Sequence, residues 1–270
     1  MKKTAAMIAG IVFISMLWVL SATAQQEAAT PGEQKAEQPA ETQAASGPME
    51  KANQLLDTKD MGNLKKAIGI YENILENNPD NFGAAWRCAF ACREYALQAQ
   101  HQQVEDWKDI CAEYGEKGMG YAQKAMDLKP DKPHGYFFYG LSVGVYSDGV
   151  GLVTALKEGL KDKTQKNLEK AYEIDKTFQN GGPMLALGRF WQKVPWPYHD
   201  EEKAMKYYRE LQDSPYFGEK VESYIFPAEI LADKWGDEPK KEARKLLEKA
   251  LEKTEDPYWE KHARKLLEDL

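Results

Sequence analysis

From Met49 to Leu270 small and apolar side chains return at intervals of three and four, the spacing of one helix face. No segment alternates apolar and polar positions over more than a few residues, as a half-exposed strand would. The pattern predicts helices broken at Pro, Gly and Asp clusters. Asp131, Asp237 and Asp256 stand where a side-chain oxygen caps the free N–H groups of a new helix, and Pro183, Pro239 and Pro257 sit at or near first helical positions. Asp200, Glu201 and Glu202 bring negative charge to a helix start, where the dipole favours it.

The pattern also repeats. In AIGIYENILENNPDN, Ala67, Tyr71 and Pro79 have the spacing of a second repeat helix, in which a small residue admits a neighbouring helix, an aromatic fills the gap, and Pro ends the unit. The stretch resembles the second half of a tetratricopeptide (TPR) unit. Ala89 in WRCAFACREY is answered by GMGYAQKAMDLKPD. Tyr136, Tyr139 and Gly140 are answered by NLEKAYEID, and Met184, Leu187, Gly188 and Trp191 by Ala204 and Tyr208. ILADKWGDEPKKEARKLLEKAL closes the series, followed by a polar terminal helix, HARKLLEDL. The fold expected is all-α: a TPR-like right-handed superhelix of about five antiparallel helix pairs.

Departures from the repeat carry the functional signal. An ordinary unit separates the small residues of its paired helices by about twelve positions, whereas Ala89 to Gly118 is 29, Gly140 to Thr164 is 24 and Gly188 to Ala204 is 16. Insertions between paired helices gather along one edge of the array. Helical spacing puts Trp86, Phe90 and Arg93 on the concave face in one repeat, His134, Phe137 and Leu141 in the next, and Leu185, Arg189 and Gln192 in the third. An aromatic face flanked by Arg suits an extended peptide, or an apolar ligand with a carboxylate. The alternative is that these aromatics are core between curved helices. Trp196, in VPWP, has no packing duty that spacing explains, and joins the candidates. Gly140 and Gly144 read as close helix contacts, and Gly149 with Gly151 as a bend or hinge, with a mobile lid as the alternative.

The termini and the charge narrow the class. Lys2 and Lys3, an apolar run from Thr4 to Leu20 and small residues to Ala24 have the three parts of a secretory signal, so residues 1–24 are expected to be removed. A retained membrane anchor is the alternative. Residues 25–48 have no side chain able to build a core and read as a disordered linker, leaving 49–270 as the helical domain. The net charge of −7 becomes −9 without Lys2 and Lys3, a poor footprint for nucleic acid. In an exported chain, Cys88, Cys92 and Cys111 are buried apolar residues or include a disulfide, for which Cys92 with Cys111 is the better placed pair across a helical hairpin. The four His are scattered, without HExxH or HxxxH, so no metal is expected. Without a nucleophile motif, or a Lys-Ser or Lys-Thr after the glycines of 140–159, no enzyme activity and no cofactor is expected.

A narrower likeness lies between Gly140 and Leu211. GVYSDGVGLVTALKEG, NLEKAYEID, GGPMLALGRFWQKVPWP and EEKAMKYY resemble the T-component family of tripartite ATP-independent periplasmic (TRAP) transporters. That resemblance implies an exported accessory that associates with a periplasmic solute-binding protein and handles apolar or carboxylate-bearing ligands. The expected function is therefore a non-catalytic adaptor of the cell envelope, periplasmic or secreted, that binds a protein or peptide. The transport accessory is the second reading. Contact with a membrane is expected only through an uncleaved N-terminal segment.

Overall fold

A computed structural model describes residues 47–270, which form a helical array without a strand. The signal and almost all of the linker expected from sequence lie outside the described residues. Helices α1 (Pro48–Asp57) and α2 (Met61–Asn77), then α3 (Phe82–His101) and α4 (Trp107–Leu128), make the first two pairs. The third is α5 (Pro133–Val150) with α7 (Leu160–Asp175), joined through the short α6 (Leu152–Lys157). Helices α8 (Phe178–Lys193) with α9 (Glu201–Gln212) and α10 (Glu222–Asp233) with α11 (Asp237–Lys253) follow, and α12 (Pro257–Glu268) covers the end. The array therefore has the five pairs and terminal helix expected, with the short α1 leading.

Small-residue packing has the same origin throughout. A methyl group on Gly188 would lie 2.2 Å from the ring of Tyr208, and one on Gly140 2.4 Å from Leu168, so these contacts need a bare backbone. Tyr71, Tyr208 and Phe138 are fully buried. Four apolar clusters run in sequence along the array, the first from α1 to α5 and the last from α10 to α12, as a fold built from nearest-neighbour contacts requires. All lie within one compact unit, Ala45–Leu270.

Two helix-start expectations need correction. Asp256 accepts from Tyr258 N at 2.9 Å and Asp200 from Lys203 N at 2.9 Å, while Asp60 and Asn81 cap α2 and α3. Asp131 and Asp237 do not cap: Lys132 and Gly236 occupy those positions without a side-chain bond. Asp237 is itself the first residue of α11, one position past the cap. Pro183 starts the regular part of α8, after Gln179, Asn180 and Gly181 break the first turn with left-handed backbone.

Glycine roles also differ from expectation. Gly144 meets nothing within 4 Å and makes no helix contact. Gly149 is no hinge: a methyl there would lie 2.5 Å from Lys108 O, because α5 presses on α4 at that point. The bend belongs to Gly151 alone, where φ of +88° ends α5. The expected disulfide is likewise not formed. Cys88, Cys92 and Cys111 are free and buried, and the Cys111 thiol donates to Ala96 O at 3.4 Å, one turn beyond Cys92.

Candidate functional site

The first insertion is not a loop. Its residues lengthen both helices of the second pair, which are joined by the short turn 102–106. The added turns of α3 carry Glu94, Gln100 and His101, and the last turns of α5 carry Asp148. These ends reach across the inner face to α8, α10 and α12, which bring Arg189, Glu229 and His262.

Glu229 is the centre of this polar face. Its carboxylate, 12% exposed, accepts from Arg189 at 2.5 Å and Gln192 at 2.9 Å, lies 2.9 Å from His262 Nε2 and has Lys193 at 3.5 Å. Burial alone would raise its pKa. The hydrogen bond to His262 and the charges of Arg189 and Lys193 win, holding it down to about 2. Gln192 is itself buried, accepts from the Tyr208 hydroxyl at 2.7 Å and donates to Phe226 O at 3.3 Å. The Arg189 guanidinium lies 3.9 Å over the Phe226 ring, which fixes its plane.

Asp148 completes the face from the opposite wall. It is open to water, yet so enclosed by the concave surface that desolvation raises its pKa, against Gln100 and the cations of Arg189, Lys193 and Arg93. Arg93 pairs with Glu94, and its Nε is buried without a partner. Helix α12 closes the far side, where His101 stacks on Tyr258 and lies 3.2 Å from Asp256.

The structure thus separates the sequence-derived candidates into four places. Arg93, Arg189 and Gln192 belong to the polar face. Trp86, Phe90 and His134 form an aromatic stack with Phe82, Phe138 and Phe178, in which Trp86 lies 5.7 Å from Phe138 with planes 6° apart. Phe137 is 3% exposed and packs against Phe178 and Gly182, so it is core rather than groove. Trp196 stands on the outer edge, 87% exposed. Asp148, Glu229 and His262 were not among the candidates. The helical spacing that selects Leu141 selects Asp148 two turns on, and applied to α10 and α12 it selects Phe226, Glu229, Tyr258 and His262.

No curated protein matches the chain significantly. The family model described as "Regulator of microtubule dynamics protein 1-3" matches residues 48–191, more than half of the chain. The chain belongs to this family. The family match ends within α8, so Glu229, Tyr258 and His262 lie beyond it, and the polar face spans the family region and the C-terminal helices. The family is a different one from the T-component family that 140–211 resemble. Among solved structures, TTC0263, a thermophilic TPR protein of Thermus thermophilus, is 15% identical with a TM-score of 0.57, over 82% of this chain and 97% of that one. MamA gives 16% and 0.46, over 82% and 98%. YrrB, described as a TPR protein with an unusual peptide-binding site, gives 15% and 0.41, over 81% and 90%. The likeness to TTC0263 is one of fold and identifies a TPR-like helical array.

Proposed function

We propose that this family member is an exported adaptor of the cell envelope that holds an extended segment of a partner protein in its concave face. The observation that carries the reading is the convergence of α3, α5, α8, α10 and α12 on Asp148, Arg189 and Glu229. Opposite charges are held there at set positions, with water access at Asp148. Such a surface offers an extended chain register through its own charges and main-chain groups, while apolar rings beside it add contact area. Export rests on the three-part N-terminal signal.

A photo-crosslinking residue in place of Asp148 tests the site in the living cell. A discrete adduct is expected, lost on Arg189→Ala and absent when the same probe replaces exposed Glu173 on α7. Failure to form an adduct at 148 would remove the concave face from consideration. Export is tested by the mass of the recovered protein: a chain beginning at Gln25 supports it, and an intact Met1 overturns cleavage. The transport-accessory reading has less support, because Arg189, the cation expected to hold a ligand carboxylate, is already paired with Glu229.

A further inference from the structure

Among the described residues, the large apolar side chains left exposed are Leu152, Val153, Trp196, Tyr198 and Trp235, the two Trp at 87% and 98%. All five lie in connections between the two helices of a pair: α5 to α7, α8 to α9, and α10 to α11. They therefore share one edge of the array. Side-chain contacts join them, since the Lys161 ammonium lies 4.4 Å over the Tyr198 ring and Lys234 pairs with Glu201. Pro195 and Pro197 restrict the backbone around Trp196, so the indole is presented outward without a packing role.

We propose that this edge is a membrane-docking surface whose Trp196, Trp235 and Tyr198 side chains enter the headgroup region of a zwitterionic bilayer. An indole prefers that layer because its ring is apolar and its N–H still meets a wet acceptor. Charge selects the lipid class. Residues 151–163, 193–203 and 233–241 carry eight Lys against eight acids, so the edge lacks the cationic excess that anionic lipid attracts. Arrangement favours a bilayer over a protein. Trp196 and Trp235, 87% and 98% exposed, stand on separate turns as single tips, not as the packed centre of a protein interface. A bilayer accepts each tip separately and needs no matching groove. No helix among the described residues is long and apolar enough to cross a membrane, so the contact is peripheral. It goes beyond the N-terminal contact expected from sequence and uses a different surface from the partner-binding face.

Phosphatidylcholine vesicles provide the test, with the chain from Gln25 onward, which keeps the whole compact unit. Flotation with the vesicles and quenching of Trp fluorescence by brominated lipid are expected, both little changed by salt. Trp196→Ala with Trp235→Ala should reduce bound protein at least tenfold at an unchanged melting temperature, and should keep the Asp148 crosslink. Three results would overturn the proposal: no flotation of the parent chain, equal flotation of the double variant, or binding confined to anionic vesicles and abolished by salt. Loss of the Asp148 adduct in the double variant, without vesicle binding by the parent, would assign the edge to a protein partner instead.

Discussion

His101, the last residue of α3, lies flat against Tyr258 at the start of α12, with ring centroids 3.9 Å apart and planes 6° from parallel. Its Nδ1 is 3.2 Å from Asp256, 155 residues further along the chain. Helices separated by several repeats are therefore latched across the inner face. His101→Ala should cost about 1 kcal/mol, the scale of one aromatic pair, and speed amide exchange in α12 ahead of α1 to α4. Equal exchange rates in the two proteins would show that α10 and α11 hold α12 without the His101 contact.

Acid should weaken the same latch. Burial lowers the His101 pKa, more than Asp256 restores it, so the unfolded chain binds more protons than the folded one in this range. Its contribution is complete above the unfolded value near 6.5 and is lost as pH falls through the lower folded value. Thermal melts from pH 7.5 downward should show this slope, flattened in His101→Asn.

Glu229→Gln should destabilise by about 3 kcal/mol at neutral pH, from a carboxylate held near 2 against an ordinary 4.5, because Arg189, Lys193 and His262 lose their common counter-charge. A depressed carboxylate contributes above its unfolded pKa and loses that contribution as pH falls from about 4.5 towards 2. Denaturant midpoints of the variant and its parent should converge across that window.

Gly188→Ala and Gly144→Ala form a contrasting pair. The first drives a methyl group to 2.2 Å from the Tyr208 ring and should cost about 1–3 kcal/mol, whereas the second meets nothing and should stabilise α5 by roughly 0.5–1 kcal/mol. Melting temperatures moving in opposite directions are the expected result.

The thiols should be silent until the chain opens. Burial raises the pKa of Cys88, and that of Cys111 to about 12, leaving little thiolate to react. Native protein treated with iodoacetamide should keep its mass, and denatured protein should gain three adducts, one for each free Cys. A native mass lower by two hydrogen atoms would reveal a disulfide instead.

Repeat packing was legible in the chain because it depends on near neighbours. Gly188 with Tyr208 follows from spacing alone, and so does the number of helix pairs, whereas Gly140 was set against Thr164 and meets Leu168 one turn on. Arg189 was assigned to the inner face by the same rule. Its partner Glu229 was not, because nothing in the local pattern says which charge 40 residues away will turn towards it. Phe137 shows the limit from the other side: the spacing that places it on an inner face does not show that α8 will cover it.

The sequence by itself determined the helices, their pairing and the small-residue contacts, since these arise within a repeat and its neighbour. Only the tertiary structure decided that the first insertion lengthens α3 and α4 rather than forming a loop. It alone decided that α12 returns to His101, and that charged and polar groups from distant repeats meet on one face. Curvature accumulated over several repeats sets those distances, and no single stretch of sequence encodes that sum.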